Sequence, residues 1–565
     1  MKKNNFISFV MLMALAGSLV SCENFLSEND QNGRYNGDVV WDSPKLAEGV
    51  LLKGYGLLPS DYTDKSDYAT DDMVTNLTTD GIVTAATGQW TSRNSPFSGN
   101  YATAYNALMH INNFLDNMER TDFAPASDQD TKDKYQRKFK GEAYALRAWW
   151  QAKLLMVFGG EGKDGNLLGF PIVTTTLKTI EDAKIPRATY TDCVKQILAD
   201  CDEALKYLPL KWEGDDRVMG ASNINRINGL CVKALKARVL LFAASPAFAA
   251  SGYTMEEAAE AAAEVMKDNN GISDLDTRAL SFYDLGNDVA YLNSCNEVLW
   301  YTSIGQSNER EKRMFPPTLF GSGEINPSQN FVDCFPDKDG YPIDFTNFDR
   351  SKQYENRDPR LDMIVYHDGS YIGGAQKVTL NTKSGNDAIN PAYKTATRSG
   401  YYLKKLLDED AKCVKNQEIT TSHYFVHMRY TEVLLNFAEA ANAAVGPDVK
   451  VGDYPYTARE VINAIRKRGG ITNTDYVNSL DQTGLAELIR NERRIELSFE
   501  GFRFWDLRRW MDYDKMNETV RGYDATTNSV INNVEERIYQ DYMIYAPLSY
   551  SETQKYNLVQ NKGWE

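Results

Sequence analysis

Long apolar runs are scarce in this chain. After residue 20, no stretch of the 565 residues reaches the ~18 consecutive apolar positions that a membrane-spanning helix needs. Basic surplus is missing too: 62 Lys and Arg face 78 Asp and Glu, a net charge of −16. A nucleic-acid binder carries a basic patch or stripe, and none is found, so nucleic acid is not an expected partner. The seven cysteines include no C-x-x-C pair, which removes zinc-ribbon and thioredoxin-like chemistry. Cys193 and Cys201 share a predicted helix, but eight residues span about 12 Å, too far for a disulfide. The length exceeds that of a usual single domain, yet no long Pro-rich or Ser-rich linker divides it.

Signatures of catalysis are also missing. There is no G-x-S-x-G and no H-E-x-x-H. The Gly-rich stretch 159–165 contains Lys163, but Asp164 stands where a phosphate loop needs Ser or Thr, so it reads as a helix stop and turn. His423 and His427 fall on one side of a helix or a strand, without a third ligand nearby in sequence. Asp337, Asp339 and Gly340 begin like a calcium loop, yet Phe348 occupies the twelfth position, where a Glu is required. No metal, cofactor or catalytic residue is expected. With 78 acidic residues, some carboxylate pair will always be close, so pairing alone does not signal glycoside hydrolysis.

What is present begins at the N-terminus. Lys2 and Lys3 precede an apolar run over residues 6–20, followed by Ser21-Cys22. This has the form of a secretory signal. The small residues before Cys22 look like a bacterial lipobox, so residues 1–21 are expected to be removed and Cys22 to carry lipid. More than one acyl chain anchors stably. Losing Lys2 and Lys3 takes the net charge of −16 to −18.

The mature chain reads as mostly helical. Ser43-Pro44 opens a helix. Others are expected over residues 101–118, up to the Gly159-Gly160 stop through Phe139, Leu146, Trp150 and Leu154, and over 191–207, 228–244 and 254–267. After an irregular stretch from 269 to about 428, rich in Gly, Pro, Asn and aromatics, helices resume at 429–444, 457–468, 485–498 and 502–513. The layout is a helical scaffold (about 40–268 and 429–565) carrying a long insertion with short strands, and binding groups tend to sit on such insertions. Adjacent helix pairs suggest a tetratricopeptide-like stack.

Several segments, in order along the chain, resemble the SusD/RagB family of outer-membrane glycan-binding lipoproteins. They are Gly141-Glu142-Ala143-Tyr144-Ala145-Leu146-Arg147-Ala148, Leu235-Lys236-Ala237-Arg238 with Ala244-Ser245-Pro246, and Asn356-Arg357-Asp358-Pro359-Arg360-Leu361. Arg429-Tyr430-Thr431-Glu432 with Ala438-Glu439-Ala440, Ile489-Arg490-Asn491-Glu492-Arg493-Arg494-Ile495-Glu496-Leu497 and the ending Gln560-Asn561-Lys562-Gly563-Trp564 also match. The resemblance implies a mainly α fold with four tetratricopeptide-like helix pairs. It also implies glycan capture without chemistry at the cell surface, and a SusC-like TonB-dependent porin as partner. Alternative readings are a surface glycoside hydrolase and a structural lid binding peptides or another nutrient. The charged residues from Glu487 to Glu496 are read as scaffold, able to pair at three- and four-residue spacings.

Sugar recognition calls for an aromatic face and planar hydrogen-bonding side chains. Trp90, in a polar segment without helical periodicity, is the leading candidate, with Asp71 and Asp72 upstream. The family resemblance places ligand groups in this region. Tyr393 and Cys295 in the insertion, and Arg398 as a donor fork, complete the set, while Trp300 in a short apolar strand reads as core. Few placeable stacking groups suit a compact furanose polymer such as a fructan better than a helical glucan.

Overall fold

The computed structural model describes residues 37–564 apart from 63, 180, 274, 279–291, 293 and 294. The signal segment and Cys22 lie outside the described residues. Among the described residues, ten helices reach eight residues or more. They are α1 (Pro44–Gly56), α2 (Ser98–Asn117), α3 (Gln129–Phe158), α4 (Tyr190–Leu205), α5 (Gly229–Ala244), α6 (Met255–Asp268), α7 (Tyr430–Val445), α8 (Ala458–Arg468), α9 (Gln482–Glu496) and α10 (Arg503–Trp510).

Their starts are written locally. Pro44 sits in the first turn of α1, where its missing N–H costs nothing. Asp128, Thr189 and Asn228 accept backbone N–H groups at the starts of α3, α4 and α5. Thr254 with Glu257 and Thr457 with Glu460 form capping boxes on α6 and α8. Gly159 ends α3 where a Cβ would lie 2.5 Å from the Leu155 carbonyl and 2.7 Å from the Tyr190 ring. The first turns of α3 precede the apolar periodicity that begins at Phe139. There the helix is solvent-facing, held by its cap and by an i,i+4 pair between Asp130 and Lys134 at 2.7 Å.

The helices stack in series: α1 on α2, α2 on α3, α3 on α4, α4 on α5, α5 on α6, α6 on α7, and α7 on α8 and α9. No described helix is long and apolar enough to cross a membrane. Between α6 and α7 the described helices are six residues or shorter, and the strands pair only in twos. The strands of three or more residues are β1 (Met73–Thr75), β2 (Val298–Tyr301), β3 (Gly305–Ser307), β4 (Ile325–Pro327), β5 (Thr421–His423), β6 (Val426–Arg429), β7 (Val520–Asp524) and β8 (Ser529–Glu535). β1 pairs antiparallel with β4, β2 with β6, β3 with β5 and β7 with β8. The β1–β4 pair joins the insertion to the scaffold before it, β2–β6 joins it to its border with α7, and β3–β5 lies within it. Trp300, on β2, is buried against Trp149 and His427, as its apolar strand implied.

A buried ionic network ties insertion to scaffold. Arg360 contacts Asp358 at 2.6 Å, Glu492 at 2.7 Å and Glu496 at 2.8 Å, all fully buried. Arg466 reaches Glu492 at 2.6 Å, and Arg468 pairs with Glu496. Arg429 bridges Glu297 at 2.7 Å and Glu500 at 2.8 Å. Arg493 meets Asp506 at 2.7 Å, and Asp506 passes the link to Arg509 at 2.8 Å. The charged residues of α9 are thus scaffold, but they pair across elements rather than along their own helix. Removing one partner of a buried pair strands the other in a low-dielectric interior, at about 3–5 kcal/mol. Arg360→Ala, which leaves three carboxylates facing one another, is expected to lose at least that much in urea unfolding, while an exposed control, Lys184→Ala at the Glu181 pair, changes it by less than about 1 kcal/mol.

Candidate functional site

Three of the residues picked out by sequence are removed from the surface. Trp90 is 2 % exposed. Its indole lies edge-on to Trp564 at 4.7 Å and to Phe97 at 5.9 Å, with the Arg508 guanidinium 5.8 Å from its centroid. It is a core residue, not a sugar platform. The polar segment around it was misleading because the groups that cover it come from α10 and from the end of the chain. Asp71 and Asp72 are buried as well. Arg494 holds both, at 2.8 Å and 2.5 Å, and Arg503 holds Asp71 at 2.9 Å. Burial pushes the Asp71 carboxyl up, but the two guanidiniums outweigh it and hold it well below the usual range. Neither carboxylate is left for a ligand hydroxyl.

Arg398 donates to the Thr75 carbonyl at 2.9 Å, to Glu535 at 2.7 Å and to the Val534 carbonyl at 3.3 Å. Its fork is spent on fastening loops. The half-buried Cys295 thiol donates to the Leu292 carbonyl at 3.3 Å, and burial pushes its pKa up. His423 is bound to the Thr421 carbonyl at 2.9 Å and to Glu311 at 3.0 Å. Burial, with Lys153 and Arg238 nearby, pushes His427 down to about 3. Among the described residues no group of three His, Cys, Asp or Glu side chains is placed to hold a metal.

Tyr393 is the candidate that does reach the surface, at 52 % exposed. Its turn is set by Asn390-Pro391: the Asn390 side chain accepts from Ala392 N at 2.9 Å, and its carbonyl from Tyr393 N at 3.0 Å. Two residues the sequence reading passed over share this surface region. Phe320 is 63 % exposed and Leu77 38 %. Phe320 follows a short helical turn, Pro317–Leu319, and has φ of +63°. That left-handed position usually falls to glycine, and for a bulky residue it costs roughly 1–2 kcal/mol. Its neighbour Gly321 has no alternative, since a Cβ there would lie 2.1 Å from the Phe315 carbonyl. The only sequence signal was Pro316-Pro317 and Gly321 bracketing an aromatic.

The three loops are locked to one another. Asn76 donates to the Ser322 carbonyl at 2.7 Å and the Gly323 carbonyl at 2.9 Å. Thr318 N donates to Asp387 at 2.8 Å, and Arg398 N to Asn326 at 3.0 Å. With Arg398 on Thr75, these bonds join residues 75–77, 317–326 and 387–398 into one surface. Thr318, Ser322, Asn386 and Lys394 add exposed polar side chains. The carboxylates tied into it are engaged: Asp387 is buried on Thr318 N, and Glu535 binds Arg398 and Arg537. The surface presents two exposed aromatic residues, a leucine and polar groups on a fixed frame, which suits stacking and hydrogen bonding better than acid–base chemistry.

A serial helical scaffold that holds such loops still is a binding architecture. Comparison with known proteins defines it further. The family described as "SusD family" matches residues 296–564, and "Starch-binding associating with outer membrane" matches residues 46–223. The chain belongs to the SusD/RagB family. It is 24 % identical over 529 residues to a SusD-like protein, P38, of Formosa agariphila, covering 89 % of this chain and 91 % of that one. A SusD-like protein of Bacteroides fragilis superposes with a TM-score of 0.76 at 22 % identity, over 93 % of this chain and 98 % of its own. A SusD-like carbohydrate-binding protein of the same species gives 0.70 at 21 %, over 91 % and 99 %. The mainly α SusD-like fold expected from sequence is the one observed.

Truncation separates core from surface. Trp90→Ala is expected to lower stability by about 3–5 kcal/mol, as for a buried aromatic. Phe320→Gly relieves a left-handed strain and offsets it with added unfolded-state freedom, so its melting temperature should be unchanged or higher. Thermal melts of the two variants side by side check both.

Proposed function

We propose that this protein binds a glycan at the cell surface without transforming it and passes it to a SusC-like TonB-dependent transporter. The observation that carries this reading is Phe320, held exposed in a strained left-handed turn beside the Tyr393 loop. A bulky side chain kept at a costly backbone position points to a surface where that ring is used. Family membership supports the same reading, as does the carbohydrate-binding description of one structural relative. Tyr393, Phe320 and Leu77 offer only a short stacking surface, which favours a compact polymer such as a fructan. Cys22 carries the lipid that tethers the chain to the outer membrane. The protein then sits as a lid on the transporter barrel, through an interface larger than the ~1,600 Å² typical of specific complexes.

A polysaccharide panel in native gels tests the binding. Retarded migration without new reducing ends is expected for one glycan class, with Phe320→Gly weakening it by roughly 5- to 150-fold. That range corresponds to the ~1–3 kcal/mol measured for stacking of bases on aromatics, taken here by analogy. New reducing ends that vanish with a single Asp or Glu substitution would establish a glycoside hydrolase instead. Cys22→Ala should release the protein from the membrane fraction. Pull-down of the wild type in mild detergent should recover a much larger barrel protein, and recovery of the lipoprotein alone would remove the transporter from the proposal.

A further inference from the structure

On the scaffold lies a cleft that the loop surface does not use. Its larger lobe, about 340 Å³, is lined by Pro59, Asp64, Lys65, Asn100, Trp150 and others. A smaller lobe of about 90 Å³ is lined by Arg238, Phe425, His427, Phe502 and Trp505 among others. Pro59, Asp64, Trp149 and Lys153 line both, so the lobes meet at the Lys153 side chain.

Most charges around the cleft are already matched. Arg238 forks onto Glu432 at 2.5 and 2.6 Å. Asp61 takes Arg310 at 2.6 Å, Lys65 takes Asp80 at 2.5 Å, and Glu500 takes Lys405 at 2.7 Å. Lys153 and Asp64 are the exceptions, and of the two Lys153 is the cation. The Lys153 amine has no hydrogen bond or ion pair to a described residue and stands 5.8 Å from the Trp149 ring. The indole N–H groups of Trp149 and Trp505 are buried without acceptors among the described residues. Buried donors in native structures are nearly always satisfied, and each one that is not calls for an explanation. Here an unpaired cation and two tryptophans with unsatisfied N–H groups line one lobe, whose carboxylates Asp61 and Glu500 are already taken by Arg310 and Lys405. Asp64, which lines both lobes, is exposed, with one oxygen accepting from Ser66 N at 2.8 Å.

We propose that this cleft binds a sugar-sized hydroxycarboxylate. Its carboxylate sits in the small lobe on the Lys153 ammonium and the indole N–H groups, and its hydroxyl-bearing ring fills the large lobe and donates to Asp64. Lys153 is a binding residue in this account, and the site is separate from the Phe320–Tyr393 surface. Burial, then the Arg238 charge, push the amine down to about 8 against the opposing pull of Asp64 and Glu432. His427 stays neutral through this range. A bound carboxylate favours the charged amine, so affinity is full below pH 8 and falls as pH rises through it.

Titration of the whole protein with glucuronate tests the inference. Glucuronate should bind at pH 7, and about tenfold more weakly at pH 9, where roughly a tenth of an amine titrating near 8 is still charged. Glucose, without the carboxylate, and benzoate, without the hydroxyls, should each bind at least about tenfold more weakly than glucuronate, a margin of ~1.4 kcal/mol. Lys153→Met should remove glucuronate binding and its pH dependence, whereas Phe320→Gly should leave both intact. If Lys153→Met does not fold, the NMR titration of the [13Cε]-lysine signal in the wild-type protein takes its place, and glucuronate should shift the Lys153 midpoint upward. The inference is overturned by no glucuronate binding, by binding that is equal at pH 7 and pH 9, or by a Lys153 midpoint that glucuronate leaves unmoved.

Discussion

The fold depends on guanidinium–carboxylate contacts that are closed to water. α9 sits between scaffold and insertion, and its Glu492 and Glu496 receive three arginines from two separate segments: Arg360 from the insertion, and Arg466 and Arg468 from the end of α8. Its Arg494 goes the other way, to Asp71 and Asp72 just before β1. Charges like these add little net stability against a well-packed apolar core, but they cannot be satisfied in any other arrangement without stranding a partner. They therefore fix which segments meet. The insertion also packs apolar residues such as Phe315, Phe331, Val332 and Tyr402 into the core, and this network adds a directional choice of seat to that non-directional burial.

The consequence reaches the surface by short steps. Asp71 and Asp72, held by Arg494, stand immediately before β1, and β1 pairs with β4. Asn76 and Arg398 then fasten the loops on either side of that pair. Phe320 and Tyr393 thus project from loops that are joined to one another by side-chain-to-backbone hydrogen bonds. A rigid presentation spares the ordering cost that a mobile loop incurs on binding.

The helices were legible because their signals are local. Thr254 with Glu257 and Thr457 with Glu460 spell capping boxes, and Pro44 and Gly159 mark a start and a stop. The charged stretch of α9 was recognisable as scaffold, although its partners were not. Trp90, Asp71 and Asp72 misled for one reason. What buries them lies more than 400 residues away in sequence, at Trp564, Arg494 and Arg503, apart from the closer contact of Trp90 with Phe97. The exposure of Tyr393 was legible because Asn390-Pro391 sets a turn beside it. Phe320 was missed because a left-handed φ is a property of the closed turn, not of the residue, and phenylalanine gives no hint of it.

The central claim is that the interlocked loops bearing Phe320 and Tyr393 hold the glycan. Amide hydrogen exchange with and without the polysaccharide selected by the gel panel addresses it most directly. The account predicts slowed exchange at residues 318–323 and 390–398, with α3 and α9 unchanged. Saturating glycan that leaves those two segments unaffected while protecting amides elsewhere would contradict it.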